Sequence, residues 1–398
     1  MTLARIEAEA TERAGVSPML ARTLAWAALN SGTGNLGGLA AVADVLAGAF
    51  SALPGDLRLI DPAPVEHVGP GGAVVPIAHG RHLHLSVRPH APARLLLTGH
   101  MDTVYPADHP FQAVTERTDG TINGPGTADM KGGLAVMLAA LEAIEAVGCT
   151  IGYDVLINSD EETGSFSSAA MMADAARGKL AALTYEPALP DGTLAGARGG
   201  TGNFSLVVRG RSAHAGRNPE DGRNAIVAAA ALALRLDAAK SPRLAVNPAR
   251  IEGGGPNNVV PDLAILRINF RPKDHGEIAR ARAAIEAAVA DVALEHDVRI
   301  EVHGSFNRPP KPIDPGAARL FALVRAAGAD LALPIAWRDT GGVCDGNNIA
   351  AAGVPVIDTM GVRGGAIHSA DEFLIVDSLA ERAALSAVTI LRLAENGL

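Results

Sequence analysis

The chain reads as an α/β protein carrying a second, smaller α+β domain, on three observations. Its 398 residues, 48% of them hydrophobic, suffice for two domains, and with aromatics at only 3% the cores must be built from Ala, Val, Leu and Ile. Short β-rich runs at 95–97, 155–157 and 183–185 alternate with helical ones at 134–146 and 169–176, the grammar of a sheet covered by helices on both faces. After Glu186 that grammar changes.

Taken in order, the elements begin with apolar residues at helical spacing over 20–46. His82 and His84 alternate with Leu83 and Leu85, which predicts the outer face of a β-strand. Beyond Glu186, residues 204–209 alternate, 221–236 read as a helix, 265–270 alternate, 277–293 read as a helix and 299–303 alternate again. This β-α-β-β-α-β-like order predicts a four-stranded domain inserted into the first. The α/β pattern resumes near residue 314. We therefore divide the chain into 1–192 and 310–398 for the larger domain and 193–309 for the insert, with hinges expected near 188–193 and 309–315, both rich in Pro and Gly. The Ala-rich stretch 224–236 offers a surface for a homodimer.

Charge and composition exclude several classes of function. Lys and Arg total 34 against 43 Asp and Glu, a formal charge of −9, which argues against a nucleic-acid partner. No run approaches the roughly 20 apolar residues of a membrane span. The N-terminus is charged from its start and lacks the layout of a secretory signal, so a cytoplasmic protein is expected. Two cysteines, Cys149 and Cys344, make no disulfide framework and suit a reducing compartment.

The chemistry is concentrated in five clusters. His100-Met-Asp102 closes the apolar run at 95–99, and Asp129, Glu161-Glu162, Glu186 and His368 follow in separate motifs. Two imidazoles, one aspartate and two glutamates suffice for two divalent ions that share a bridging carboxylate with a water between them. One carboxylate is then left over as a base. Adjacent acids at a strand end suit that division, because Glu161 and Glu162 can point differently. The candidate donors fall just past strand ends, where open α/β sheets place their chemistry. The same pair, followed by Thr163-Gly164-Ser165, could also cap a helix N-terminus.

Together these motifs resemble the zinc-dependent exopeptidase family that includes glutamate carboxypeptidase, acetylornithine deacetylase, succinyl-diaminopimelate desuccinylase and aminoacylase. The similarity runs from about Leu95 to Leu393, and His-Met-Asp-Thr-Val-Tyr, Gly-Pro-Gly-x-Ala-Asp and Asp-Glu-Glu-x-Gly-Ser-Phe resemble the glutamate carboxypeptidase branch most. The resemblance implies a phosphorylase/hydrolase-like mixed-sheet catalytic domain with an inserted ferredoxin-like α+β lid and dimerisation domain. It implies that His100 and Glu186 bind one zinc, Glu162 and His368 the other, and that Asp129 bridges them. Cobalt or manganese would also suit such donors. Asp102 would orient the His100 imidazole, and Glu161 would act as general base. His214, in Arg211-Ser212-Ala213-His214, would stabilise the oxyanion across a dimer. Asn258 and Arg271 would lie near the substrate, and Arg308 would grip its carboxylate.

Each of these residues also has a plainer reading. His214 could be an ordinary loop residue, Arg271 and Arg308 surface cations, and Arg363 either a pocket residue or a loop salt bridge. Where the carboxypeptidase branch tends to carry Gly-Gly-Thr-Asp, this chain has Gly341-Gly342-Val343-Cys344-Asp345, which leaves glutamate specificity open. Cys344 reads as a small buried residue in place of Ser or Thr rather than a third ligand. The expected activity is cleavage of an amide bond beside a free carboxylate in a small molecule or short peptide. The alternatives are an N-acyl-amino-acid deacylase and, less favoured because no ligand or base is replaced, a non-catalytic binding protein.

Overall fold

The computed structural model describes residues 3–398. In chain order the strands of its two main sheets are β1 (Asp56–Ile60), β2 (His82–Val87), β3 (Arg94–His100), β4 (Gly152–Asn158), β5 (Ala181–Thr184), β6 (Thr201–Arg209), β7 (Leu244–Gly253), β8 (Leu263–Pro272), β9 (Arg299–Arg308) and β10 (Val356–Ile357). The helices are α1 (Arg5–Gly15), α2 (Met19–Ala27), α3 (Leu36–Phe50), α4 (Gly132–Ala146), α5 (Ala169–Ala176), α6 (Ala225–Asp237), α7 (His275–His296), α8 (Pro315–Asp330), α9 (Asp345–Ala351) and α10 (Ser378–Asn396).

The larger sheet runs β1-β2-β4-β3-β5-β10. Strands β4, β3, β5 and β10 are parallel, and β2 and β1 extend one edge through antiparallel pairings. Alternation along β3 explains how the sheet is buried on both faces: Leu95 and Leu97 enter the core shared with α1, α4 and α10, while Leu96 enters a smaller one with α5 and α9. Helix α4 is buried on nearly every side, which is why its sequence lacks a polar stripe. No described helix is long and apolar enough to cross a membrane.

The smaller sheet runs β7-β8-β6-β9, antiparallel throughout. With α6 between β6 and β7 and α7 between β8 and β9, it has the ferredoxin-like order. Asn224 caps α6 and Asp274 caps α7 through their side-chain oxygens, and Leu232, Leu266 and Val292 help form a separate core beneath the two helices. The opposite face of this sheet is crossed by the hairpin Val65–Val68 and Val74–Ile77, whose Val68 packs on Val207 and Ile265. The chain passes between the two sheets beside the paired backbones of Arg198 and Lys311, which exchange two hydrogen bonds of 2.9 Å.

Two expectations for the first hundred residues need correction. The helical stretch at 20–46 is two helices, because Asn30-Ser-Gly-Thr-Gly-Asn35 interrupts it and Asn35 caps α3 by accepting from Gly38 N at 3.1 Å. His82 does not face outward: β2 lies between β1 and β4, and His82 is buried with Ser159 N and Ser167 Oγ at 3.3 and 3.2 Å from its ring nitrogens. His84, half-exposed, meets Asp154 Oδ1 at 2.9 Å.

Candidate metal centre and cleft

The carboxyl ends of the parallel strands deliver the donors. His100 is the last residue of β3, Glu186 follows β5 by two residues, and Glu161 and Glu162 follow β4 in a single 3₁₀ turn. Asp129 lies in the turn before α4, and His368 lies in the loop between two short strands, with a left-handed φ of 63°. Donor atoms of His100, Asp129 and Glu186 all lie within 4.8 Å of one another, and so do those of Asp129, Glu162 and His368. Asp129 belongs to both groups. Its Oδ1 stands 3.1 Å from His100 Nε2 and its Oδ2 3.3 Å from His368 Nε2, while Glu162 Oε2 stands 3.3 Å from the same His368 nitrogen.

Each group therefore offers one imidazole and two carboxylates, a donor set suited to zinc and acceptable to cobalt or manganese. The electrostatics agree. Burial and the charge of Asp129 push the Glu162 carboxyl up to about 7, and burial raises Glu186 as well, partly offset by its hydrogen bond to His100. Burial opposes a charged His100, yet its contacts with Asp102, Asp129 and Glu186 outweigh that and raise it. Hydrogen bonds donated to Asp129 and Glu162 raise His368 to about 10. Crowded, buried carboxylates that hold protons or imidazolium partners at neutral pH are what a divalent cation relieves.

Asp102 does more than orient the imidazole. His100 Nδ1 donates to the Asp102 backbone carbonyl at 3.0 Å, with the carboxylate at 3.4 Å. The carboxylate chiefly accepts from the backbone: Glu161 N reaches Oδ1 at 3.2 Å, Glu162 N reaches Oδ2 at 3.1 Å, and Thr33 Oγ1 adds 2.8 Å. One buried aspartate thus holds both the first histidine and the paired glutamates. The same turn is secured from its other side by Asp160, which accepts from Ser167 N and from the hydroxyls of Ser167 and Ser168 at 2.6–2.8 Å. Neither Glu161 nor Glu162 caps a helix; α5 starts only at Ala169.

Arg308 departs from its expected place. It is 5% exposed, and its Nη2 lies 2.8 Å from Glu161 Oε1 and 3.3 Å from Asp345 Oδ1, with further bonds to Glu161 O and Ser165 Oγ. The guanidinium grips the would-be base rather than opening into the cleft, because β9 ends directly beneath the Glu161 turn. Burial raises the Glu161 carboxyl strongly, and Arg308 opposes that rise.

The cleft beside the donors has a volume of about 580 Å³. Its lining joins Asp129, Glu161, Glu162, Glu186 and His368 with Arg198, Arg338 and residues 339–344. Arg198 is buried and committed to Asp358 through Nε and Nη2 at 2.6 and 3.3 Å, with Lys311 also on that carboxylate. Arg338 is exposed and has no ion pair among the described residues. Cys344 is buried, accepts from Gly346 N at 3.3 Å to cap α9, and belongs to neither donor group. Arg363 pairs with Glu381 at 3.0 Å and donates to Pro190 O, so it braces a loop.

The residues expected from the insert do not line this cleft. His214 is exposed on a two-residue strand paired with Val259–Val260, and Asn258 O accepts from Ala215 N beside it. His214 Nδ1 accepts from Gly216 N and Arg217 N, both at 3.1 Å, and Nε2 has no partner among the described residues. Arg271, also exposed, donates to Asn269 at 2.8 Å.

The profile of Peptidase family M20/M25/M40 matches residues 96–392. The chain belongs to that family. Carboxypeptidase G2 of Pseudomonas sp. (strain RS-16) is 32% identical over 318 residues, spanning 75% of this chain and 74% of that protein. A succinyl-diaminopimelate desuccinylase of Xanthomonas euvesicatoria pv. vesicatoria (strain 85-10) is 31% identical over 324 residues, 75% of this chain and 83% of that protein. Among solved structures, a tripeptidase of Staphylococcus aureus superposes with a TM-score of 0.73 at 24% identity, covering 97% of this chain and 99% of that one. The M20 family metallo-carboxypeptidase Sso-CP2 of Sulfolobus solfataricus gives 0.71 at 14% identity, covering 94% and 98%. The M20 chain described here is thus a metal-dependent hydrolase of the peptidase and amidohydrolase type, with the family's fold across both sheets.

Sequence reasoning missed Arg198, Arg338 and Asp358. Arg338 stands three residues before Gly341-Gly342, the loop whose divergence left glutamate specificity open, and that adjacency was the available signal. Arg198 and Asp358 are 160 positions apart and carry no local signature.

Proposed function

We propose that this protein is a dinuclear zinc enzyme that cleaves an amide bond next to a free carboxylate, with cobalt or manganese able to replace zinc. The substrate class is a short peptide, folate-like conjugate or N-acyl amino acid. One observation carries the reading: the two oxygens of Asp129 address His100 at 3.1 Å and His368 at 3.3 Å, so a single carboxylate joins both donor groups. His100, Glu186 and Asp129 would hold one cation; Glu162, His368 and Asp129 would hold the other. When bound, the pair supplies Lewis acidity at the scissile carbonyl and lowers the pKa of an attacking water.

The chain's own groups do the rest. Asp102 keeps a proton on His100 Nδ1, so Nε2 presents its lone pair inward. Glu161 takes the proton of the attacking water and passes it to the leaving amine. Arg308 holds Oε1 of that glutamate, which leaves Oε2 for the transfer. Arg338, on the cleft lining and without an ion pair among the described residues, receives the substrate carboxylate. His214, whose Nε2 has no partner among the described residues, comes from the insert of a second protomer when the lid closes and stabilises the oxyanion, with Asn258 and Arg271 near the substrate. The protein works in the cytoplasm as a homodimer.

The 31% identity to a desuccinylase supports a second reading, an N-acyl-amino-acid deacylase. Metal-reconstituted enzyme assayed on dipeptides, folate conjugates, and N-acetyl and N-succinyl amino acids separates the two. Under either reading Glu161→Gln retains its metal and loses about 10²–10⁴-fold in kcat; near-native turnover in that variant refutes the base assignment.

A further inference from the structure

Two buried residues outside both donor groups tie together the loops that carry the second metal's ligands. Glu372 is 1% exposed and Tyr105 3%. Glu372 Oε1 accepts from Ala128 N at 3.0 Å and from Asp129 N at 3.1 Å, so it grips the backbone of the bridging aspartate. Its other oxygen lies 3.1 Å from the Tyr105 hydroxyl, which also stands 2.8 Å from Ser369 O, the residue after His368. Tyr105 is itself three residues past Asp102, and its own carbonyl accepts from Asn30 at 3.0 Å. A burial this complete is costly unless the carboxyl is fully engaged. Here it is engaged on one side by the turn holding Asp129 and on the other, through one phenol, by the turn holding His368.

The first donor group depends on this link only through Asp129, which it shares. His100 ends a central strand and is held by Asp102, and Glu186 follows β5. Asp129 and His368 come instead from loops that flank a pair of short strands, Thr121–Asn123 and Phe373–Ile375, and Glu372 stands where those loops leave the pair. We propose that Glu372 and Tyr105 are positioning residues that set the spacing between Asp129 and His368, and so govern retention of the cation held by Asp129, Glu162 and His368. The proposal rests on the two-cation reading above. Its chemistry is that of a supporting hydrogen bond to a ligand, whose loss typically weakens a metal by about 10–100-fold.

The substitutions separate this role from simple packing. Glu372→Ala leaves the Ala128 and Asp129 amides without their acceptor and parts the phenol from that turn, its hydrogen staying on Ser369 O. Glu372→Gln keeps an oxygen for the two amides and presents an amide NH₂ that donates to the phenol oxygen, whose own hydrogen then serves Ser369 O. Tyr105→Phe cuts only the tie to the His368 turn.

The test is Zn²⁺ titration of the chelator-stripped full-length protein by competition with a zinc indicator, with circular dichroism to establish folding. Expected are two tight ions for wild type and for Glu372→Gln, and one tight ion plus one weakened about 10–100-fold for Glu372→Ala. Folded Tyr105→Phe weakens the same single ion by a smaller factor. Two wild-type ions with both retained at unchanged affinity in Glu372→Ala overturn this inference alone, as does unchanged affinity in Tyr105→Phe should the alanine variant not fold. A wild type that binds one ion overturns the two-cation reading and this inference with it.

Discussion

Arg308 offers the sharpest prediction, because two roles for it give opposite kinetics. Its Nη2 sits 2.8 Å from Glu161 Oε1 and 3.3 Å from Asp345 Oδ1, all three groups being buried. Unit charges about 4 Å apart interact by about 4 kcal/mol at an effective dielectric near 20. Removing one member of a buried pair costs about 3–5 kcal/mol, since the partner is stranded. Arg308→Met is therefore expected to lower unfolding free energy by about 3–5 kcal/mol. The cation also opposes the burial that raises Glu161, so its loss raises that carboxyl further. A base must be ionised to act, and the acid limb of the kcat profile consequently moves to higher pH. The assay is steady-state kinetics across pH on metal-loaded enzyme, with urea unfolding alongside. Arg308 as the anchor of Glu161 predicts kcat reduced about 10–100-fold, about 1.4–2.7 kcal/mol of barrier, with KM little changed. Arg308→Lys should recover part of it, keeping the charge without the guanidinium geometry. An unchanged kcat with a KM raised tenfold or more would return Arg308 to the substrate carboxylate and refute this reasoning.

Arg338→Met is expected to raise KM by about tenfold or more for substrates with a free carboxylate, at nearly constant kcat, and to leave an amidated analogue unaffected; equal effects on both analogues would count against the assignment. Chelated protein should lose stability as pH rises. Glu162 is raised to about 7 in the metal-free fold, so its contribution is complete below its unfolded value near 4.5 and lost as pH climbs through about 7. Melting temperatures of stripped and zinc-loaded protein should thus diverge between pH 5 and 8, and parallel curves would contradict the prediction. His214→Ala is expected to lower kcat about 10²–10³-fold without altering metal content, and a stable monomer with full activity in size-exclusion experiments would exclude its action across a dimer.

What the sequence by itself determined was the chemistry and the class of architecture. Apolar period and element order announce a sheet covered by helices on both faces and a four-stranded insert, because those signals are local. The donors His100, Asp129, Glu162, Glu186 and His368 stand in short motifs at strand ends or tight turns, where spacing constrains where a side chain emerges. The tertiary structure decided which groups those motifs meet. The break in the helical run at 30–35 brings Thr33 to Asp102, 69 positions away. Arg308 reaches the backbone of Glu161 across 147 positions, and Tyr105 meets Glu372 across 267. His82 is buried because the turn after β4 folds over it and brings Ser159 and Ser167 to its ring. Periodicity records which face of an element is apolar and motifs record which atoms can bind. The partner of a buried charge is set by how separate segments pack, and no local spacing encodes that.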